Sequence, residues 1–256
     1  MIGGCLFLLA LYAIAVRFRF TKRAILFLLG VGLLFVALAS PLNLLASTYL
    51  FSAHAIQDLI LLQIVPAFLI LGIPASAAAA VRQGAPIFAR AIRNPAAGWI
   101  AANAAMIAWH VPALFNTALR APRVAAAEHL SFLLAGALFW WPAFAPLKSE
   151  RMSPVPWSAL YLIGACIPCS LLGLALTFAH VGPYSSYYSP QDTLGILPMI
   201  RETWGLSLDV DQETGGLFLW VGGCMVYTSA VMGLFILWYN SPEVRNEFAP
   251  TAARQS

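Results

Sequence analysis

The residues of this chain whose types and spacing could do chemistry are its four histidines and a few polar neighbours. His54 and Asp58 are four residues apart, so on a helix they share one face and can hold a proton, a water or a metal ion together. We expect Gln57, which stands between them, to support the pair. Because an ionised carboxylate in an apolar segment is costly, Asp58 is a functional candidate. A polar pair that only ties helices together is the open alternative.

Met106 and His110 form a second pair at the same four-residue spacing. Thioether and imidazole together suit copper, because soft sulfur ligands select Cu(I) and imidazole binds copper in either oxidation state, and zinc as well. A methionine in an apolar helix more often packs than ligates. His110, just before Pro112, is therefore the stronger candidate of the two.

Glu128 and His129 are adjacent near the start of a further apolar segment. Neighbouring helical residues diverge by about 100°, so only one of the two can point at the axis of a bundle. We expect His129 to point inward. Glu128 would then accept a hydrogen bond from a ring nitrogen or complement the helix N-terminus, or it would only decorate the start of the helix.

The last outer connection and the segment after it carry further polar and aromatic residues. Asp211, followed by Gly215 and Gly216, could place a carboxylate near the site, or could cap the last helix while the glycines permit close packing. Four aromatic residues of the connection are interpreted as a belt at the membrane interface. They are Tyr184, Tyr187, Tyr188 and Trp204.

The elements that must position these residues are membrane helices. The 256 residues are 61% hydrophobic and only 9% charged, whereas an ordinary soluble domain has about 25% charged residues. Apolar stretches of roughly the 20 residues needed to cross a bilayer recur along the chain, and strand-like alternation is absent. We therefore predict an all-α, polytopic membrane helix bundle, forming one integral membrane domain over residues 1–256. The seven predicted transmembrane helices span about 2–16, 24–40, 50–72, 97–113, 124–145, 156–178 and 216–239.

The basic residues predict the orientation of the bundle. Eleven of the fourteen fall in the odd-numbered connections and the C-terminal tail. They are Arg17, Arg19, Lys22, Arg23, Arg82, Arg90, Arg93, Lys148, Arg151, Arg245 and Arg254. The positive-inside rule then places the N-terminus outside and the C-terminus in the cytoplasm. In this topology all four histidines, His180 included, lie at the outer ends of helices.

Other motifs are few. The chain has no nucleophile elbow, phosphate-binding glycine loop, H-E-x-x-H motif or long basic patch, so we expect neither hydrolase activity nor a nucleic-acid partner. Cys166 and Cys169 have the C-x-x-C spacing of metal and redox sites but lie in mid-span, and Cys224 lies about two turns into the last span. Most buried cysteines act only as small apolar residues.

The motif residues together resemble the CtaG-like, multi-spanning cytochrome c oxidase assembly factor family. The strongest part of the resemblance is WHVPAL at 109–114, followed by EHLSFLLAG at 128–136 and FWWP at 139–142. The segment HAIQD at 54–58 resembles another block of the family, in which a second histidine stands where this chain has Asp58. A carboxylate is a harder ligand than an imidazole, so this departure bears on which metal ion the segment favours.

The resemblance implies a role in maturing a haem-copper oxidase, through delivery of copper and without catalysis by the protein itself. It also implies a multi-pass protein of the bacterial cytoplasmic (inner) membrane. The implied partners are haem-copper oxidase subunits and the lipid bilayer, with a periplasmic copper donor as a further candidate.

We expect transient copper binding by one group of residues, supported by a second group around it. The expected ligands are His54, Asp58, Met106, His110 and His129, and the supporting residues are Gln57, Glu128 and Asp211. Two alternatives remain open at this point. One is a membrane transporter of copper or another small solute, and the other is a redox subunit that binds haem or quinone.

Overall fold

The computed structural model describes residues 2–15, 22–153, 155–179 and 184–241, and over these ranges the protein is helical and contains no β-strand. Short 3-10 or π turns occur at Leu45–Tyr49, Lys148–Glu150, Ser185–Tyr187 and Met199–Thr203. The helices are α1 (Ile2–Ala15), α2 (Lys22–Ala39), α3 (Pro41–Leu44), α4 (Phe51–Gly72), α5 (Ala75–Gly84), α6 (Pro86–Ile92), α7 (Pro95–Trp109), α8 (Pro112–Arg120), α9 (Pro122–Phe144), α10 (Val155–Phe178) and α11 (Leu208–Tyr239).

Five of these helices are long and apolar enough to cross a membrane, namely α2, α4, α9, α10 and α11. Helices α7 and α8 add a sixth span if the pair, bent by 75°, is counted as one. The prediction of an all-α polytopic membrane protein is confirmed within the described ranges. The predicted count of seven also includes α1, which has 14 residues. The last span begins at Leu208, eight residues before its predicted start at 216.

Several helices begin at prolines, and one of these prolines, Pro112, follows the bend at which α7 ends. Pro95, Pro112 and Pro122 each occupy the first turn of a helix, where a missing amide hydrogen costs nothing. A residue before proline is driven towards extended backbone, and Val111 accordingly has φ −65° and ψ 127°. This break ends α7 at Trp109 and leaves His110 at the corner before α8.

Helix α4 lies at the centre of the bundle, packed against α2, α9 and the first half of α11. It is the most deeply buried of the five long helices. The crossing with α9 requires Gly136, because a Cβ atom there would overlap the carbonyl oxygen of Leu62. A π turn at Ile60–Ile64 interrupts α4, and a second one at Phe218–Gly222 interrupts α11. Such turns insert one extra residue and are frequent at functional sites.

The glycines near the start of α11 allow that helix to approach two others. A Cβ on Gly215 would overlap the ring of Phe51 at the start of α4. A Cβ on Gly216 would overlap Thr177 near the end of α10. The interpretation of this glycine pair as a close-packing element is therefore confirmed.

Candidate metal centre

Four ionisable side chains from three parts of the bundle converge beneath its surface. The Nε2 atom of His54 lies 3.5 Å from Asp58 Oδ2 and 3.5 Å from Glu128 Oε1. His110 Nε2 lies 3.8 Å from the same oxygen of Asp58. All four residues are buried, with no more than 4% of any of them exposed. We call His54, Asp58, His110 and Glu128 the metal centre, which is a candidate metal-binding site.

Local structure determines which atoms of the two histidines face the centre. The four-residue spacing on α4 places His54 above Asp58, as predicted. His110 Nδ1 lies 2.8 Å from the carbonyl oxygen of Met106, which can only accept, so Nδ1 donates. A neutral imidazole that donates from Nδ1 carries its lone pair on Nε2, the atom that faces Asp58. This is the usual arrangement of a metal-binding histidine.

The polar atoms at the centre have no hydrogen-bond partners among the described residues. They are both ring nitrogens of His54, both carboxylate oxygens of Asp58, Nε2 of His110 and Oε1 of Glu128. A buried polar atom without a partner typically costs about 1–3 kcal/mol, and more if it is charged. The lone pair of His110 Nε2 also faces a carboxylate oxygen, so two acceptors oppose each other. A cation held by His54 Nε2, His110 Nε2, Asp58 Oδ2 and Glu128 Oε1 would satisfy these four atoms.

The spacing of these atoms suits a metal ion. Nitrogen and oxygen ligands about 2.1 Å from a tetrahedral ion lie about 3.4 Å from one another. Three donor pairs here are 3.5, 3.5 and 3.8 Å apart, and His110, which approaches Asp58 alone, would have to move towards an ion held by the other three residues. One ligand atom each from His54, Asp58 and Glu128 lies within 4.8 Å of the other two. Two imidazoles and two carboxylates form a borderline-to-hard donor set, which suits Cu(II) or Zn(II) better than Cu(I).

Glu128 and His129 have the reverse of their predicted orientations. Glu128 is 1% exposed and its Oε1 lies 3.5 Å from His54 Nε2, whereas His129 is only partly buried and, unlike His54 and His110, lies within 4.0 Å of neither carboxylate of the centre. The inward orientation predicted for His129 is wrong. The apolar periodicity of α9 indicates the correct orientation, because Glu128 lies on the same helical stripe as the buried residues Phe132, Ala135 and Phe139.

Met106 and Gln57 lie beside the centre and stabilise the helices that carry it. Met106 is buried in α7 and receives the His110 hydrogen bond through its backbone carbonyl. Gln57 Nε2 donates to Ala37 O at 2.7 Å and to Asn43 Oδ1 at 2.9 Å. Gln57 therefore ties α4 to the end of α2.

Asp211 caps the helix that carries His54 and Asp58, although it belongs to a different helix. Its Oδ2 accepts from the backbone N–H of Phe51 at 2.8 Å, and its Oδ1 accepts from Ser52 N at 3.0 Å and Ser52 Oγ at 2.5 Å. The negative charge also complements the positive N-terminal end of α4. Helix α11 has its own cap, Ser207, whose side chain accepts from Val210 N.

Trp109 and Ser131 connect the two motifs that flank the centre. Trp109 Nε1 donates to Ser131 Oγ at 2.7 Å, and Ser131 Oγ donates to the carbonyl of Glu128 at 2.8 Å. This chain of hydrogen bonds fixes α7 against α9 beside His110 and Glu128. Sequence reasoning included both residues in motifs but missed their contact, because nothing in the spacing indicates which polar pairs meet across helices.

An aromatic layer separates the centre from the outside; we call it the aromatic cover, and it consists of Phe51, Phe115, Tyr184 and Tyr187. The ring of Phe115 lies 4.6 Å from that of His54 and 3.9 Å from that of Tyr184. Tyr184 donates its hydroxyl to the carbonyl of His110 at 3.0 Å.

Both tyrosines of the cover are buried, so their interpretation as part of an interface belt is wrong. Burial raises the pKa of Tyr184 and of Tyr187, which keeps both hydroxyls protonated as hydrogen-bond donors. Tyr187 donates to the carbonyl of Ala46. Tyr188 and Trp204 are exposed, as expected of a belt. His180 lies outside the described residues.

Comparison with known proteins gives one result. The family model described as cytochrome c oxidase caa3 assembly factor (Caa3_CtaG) matches residues 5–241, which include every residue of the metal centre and of the aromatic cover. No curated protein and no solved structure matches the chain.

Proposed function

Because the chain belongs to the cytochrome c oxidase caa3 assembly factor family, we propose that it assists oxidase assembly by holding copper transiently at the metal centre. The observation that carries this proposal is the convergence of unpartnered, buried donor atoms on four side chains. Family membership supports the oxidase as the client, and the donor set supports a metal ion as the cargo. The role of the protein is to bind and release, with no chemical transformation of the ion.

Charge balance supports Cu(II) as the form that is held. In a buried, apolar setting an uncompensated charge costs several kcal/mol. The carboxylates of Asp58 and Glu128 together neutralise a divalent ion, while His54 and His110 contribute neutral nitrogen ligands. Release to a histidine-ligated acceptor would then proceed by exchanging ligands one at a time. The carboxylates of Asp58 and Glu128 are harder ligands than the imidazoles of the acceptor, which would replace them.

The proposal includes the topology predicted from sequence, with seven spans, the N-terminus outside and the C-terminus in the cytoplasm of a bacterial inner membrane. Helix α1 would be the first span. Its Tyr12 stacks on Phe27 of α2 at 3.9 Å and donates to the carbonyl of Gly72 in α4 at 3.0 Å. The metal centre would then face the extracytoplasmic side, where a periplasmic copper donor and the oxidase could reach it.

The test exchanges His54→Ala, Asp58→Asn and Glu128→Gln singly and measures haem and copper separately in the purified client oxidase. We expect oxidase with normal haem and depleted copper in each case. The matched control is His129→Ala, which removes an imidazole adjacent to Glu128 but outside the centre and should leave copper near wild type. Normal copper in all three variants would overturn the proposal.

Two further measurements, of cellular copper and of the absorption spectrum of the purified protein, separate this proposal from the two alternatives. A transporter would change the copper content of the cell before that of the oxidase. A haem-binding subunit would show a Soret band when purified, and a paired-histidine haem would have to displace the ring of Phe115, which packs 4.6 Å from His54 and 6.0 Å from His110. The geometry therefore favours an ion at this position over a porphyrin.

A further inference from the structure

Two arginines lie at the end of the bundle opposite the metal centre. Arg23 Nη1 donates to the carbonyl of Ile73 at 2.8 Å, and Arg151 Nε donates to the carbonyl of Ala145 at 2.7 Å. Ile73 follows His54 by 19 residues along α4, which is about 28 Å at 1.5 Å per residue. Both arginines are partly buried. We call Arg23 and Arg151 the arginine pair.

Prolines free the two carbonyl groups that accept from the arginine pair. Ile73 precedes Pro74 and Ala145 precedes Pro146, and the residue before a proline is driven towards extended backbone. Ile73 accordingly has φ −64° and ψ 128°, and Ala145 has φ −44° and ψ 141°. The extended backbone ends α4 and α9 at these residues, so their carbonyl groups can accept from a side chain.

Helices α4 and α9 bring these two carbonyl groups to a similar depth. The Nε2 atom of His54 lies 3.5 Å from Oε1 of Glu128, near the start of both helices. Eight residues further along each helix, a Cβ atom on Gly136 would overlap the carbonyl oxygen of Leu62. The two helices therefore run in the same direction. The carbonyl groups lie eleven and nine residues beyond this crossing, which is about 16 and 14 Å along the helix axes.

The arginine pair carries positive charge that no carboxylate of the described residues neutralises. Neither arginine forms an ion pair within the described ranges, and this includes the buried carboxylate of the neighbouring Glu150. Burial and then the positive charge of Arg23 lower the pKa of Arg151, so the two guanidinium groups are close enough to repel each other. Each guanidinium has several N–H donors and uses one of them on a carbonyl group. An anion would therefore find unused donors and uncompensated charge here.

We propose that the arginine pair binds the phosphate group of an anionic phospholipid. Guanidinium groups suit phosphate because their fixed N–H donors can pair with two phosphate oxygens at once. Basic pockets between membrane helices on the cytoplasmic side bind anionic lipid head groups, and the proposed topology puts the arginine pair on that side. Lys22 and Lys148 are exposed and add positive charge to the same end of the bundle. A bound lipid would connect the start of α2 to the segment that follows α9.

The test uses native mass spectrometry of the purified full-length protein, in detergent with equal amounts of phosphatidylglycerol and phosphatidylcholine. We expect the native protein to retain phosphatidylglycerol preferentially. Arg23→Gln and Arg151→Gln should each weaken this retention by about fivefold, which corresponds to about 1 kcal/mol for one basic residue at a lipid surface. The matched control is Arg82→Gln, which removes an exposed arginine of α5 and should retain the lipid. Asp58→Asn should also retain it, so that failure of this proposal and failure of the proposed function are distinguishable.

A measurement on the unaltered protein covers the case in which a glutamine variant fails to fold. Phosphatidylglycerol added to the protein in phosphatidylcholine should raise the midpoint of thermal unfolding, whereas inorganic phosphate should not. An equal rise with inorganic phosphate would assign the arginine pair to a free anion and overturn the lipid proposal. Equal retention of both lipids by the native protein, unchanged retention in both glutamine variants, or an equal loss in Arg82→Gln would also overturn it.

Discussion

Replacing Asp58 by asparagine removes one negative charge from the metal centre and leaves the size of the side chain nearly unchanged. Its Oδ2 atom is the one shared by both histidines, at 3.5 Å from His54 Nε2 and 3.8 Å from His110 Nε2. A carboxylate and a unit positive charge held about 3.5 Å away attract each other by about 5 kcal/mol at an effective dielectric constant of about 20, and a bound ion would lie no further from Asp58 than that. Loss of the repulsion between Asp58 and Glu128 returns part of this energy. We therefore expect Cu(II) binding to weaken by about 2–3 kcal/mol, which is about 30- to 150-fold.

The assay is a competition titration of the purified protein with Cu(II) and a chromophoric chelator, in detergent or in a nanodisc. The control is Asp209→Asn, which makes the same chemical change at an exposed carboxylate near the start of α11. Far-ultraviolet circular dichroism checks that both variants keep their helices. Unchanged Cu(II) affinity in Asp58→Asn, or an equal loss in Asp209→Asn, would refute the reasoning.

Two further predictions concern the outer end of the bundle. Asp211→Ala should lower the free energy of unfolding by about 1–3 kcal/mol, because it leaves backbone N–H groups at the start of α4 without acceptors. Asp211→Asn should lower the free energy of unfolding by less. An unchanged midpoint of thermal unfolding in Asp211→Ala would contradict this prediction. Although partial desolvation raises the pKa of Asp192, hydrogen bonds from Leu197 N–H and the Tyr49 hydroxyl outweigh it and hold that pKa below its usual value. A folded-state pKa below the unfolded one contributes stability above about pH 4, and this stability is lost as the pH falls through the folded-state pKa. Pepsin cleavage of the outer connection should therefore increase below that pH in the native chain but not in Asp192→Asn. A flat pH profile of cleavage in both proteins would contradict this prediction.

The sequence predicted those parts of the structure that depend on local pattern. Apolar length predicted the long helices, although the last of them begins eight residues before its predicted start. The spacing of His54 and Asp58 predicted a shared face, because four residues complete one helical turn whatever surrounds it. His110 also lies at the end of α7, and the predicted topology had placed it at the end of a helix.

The parts that could not be predicted depend on how helices rotate and meet. The choice between Glu128 and His129 follows from the rotation of α9 about its axis, which all of its apolar residues determine together and which two adjacent polar residues do not reveal. The cap provided by Asp211 joins atoms 160 positions apart in the chain.

The aromatic cover has a consequence for the timing of the copper exchange that we propose. Rings that pack on His54 and close over it must move before any ion can enter or leave, so the exchange rate depends on that movement rather than on the strength of the metal–ligand bonds. Affinity and speed of delivery then become separate properties. A partner that engages the connection around Tyr184 and Tyr187 would open the route, and cargo would pass directly to that partner instead of escaping into bulk water.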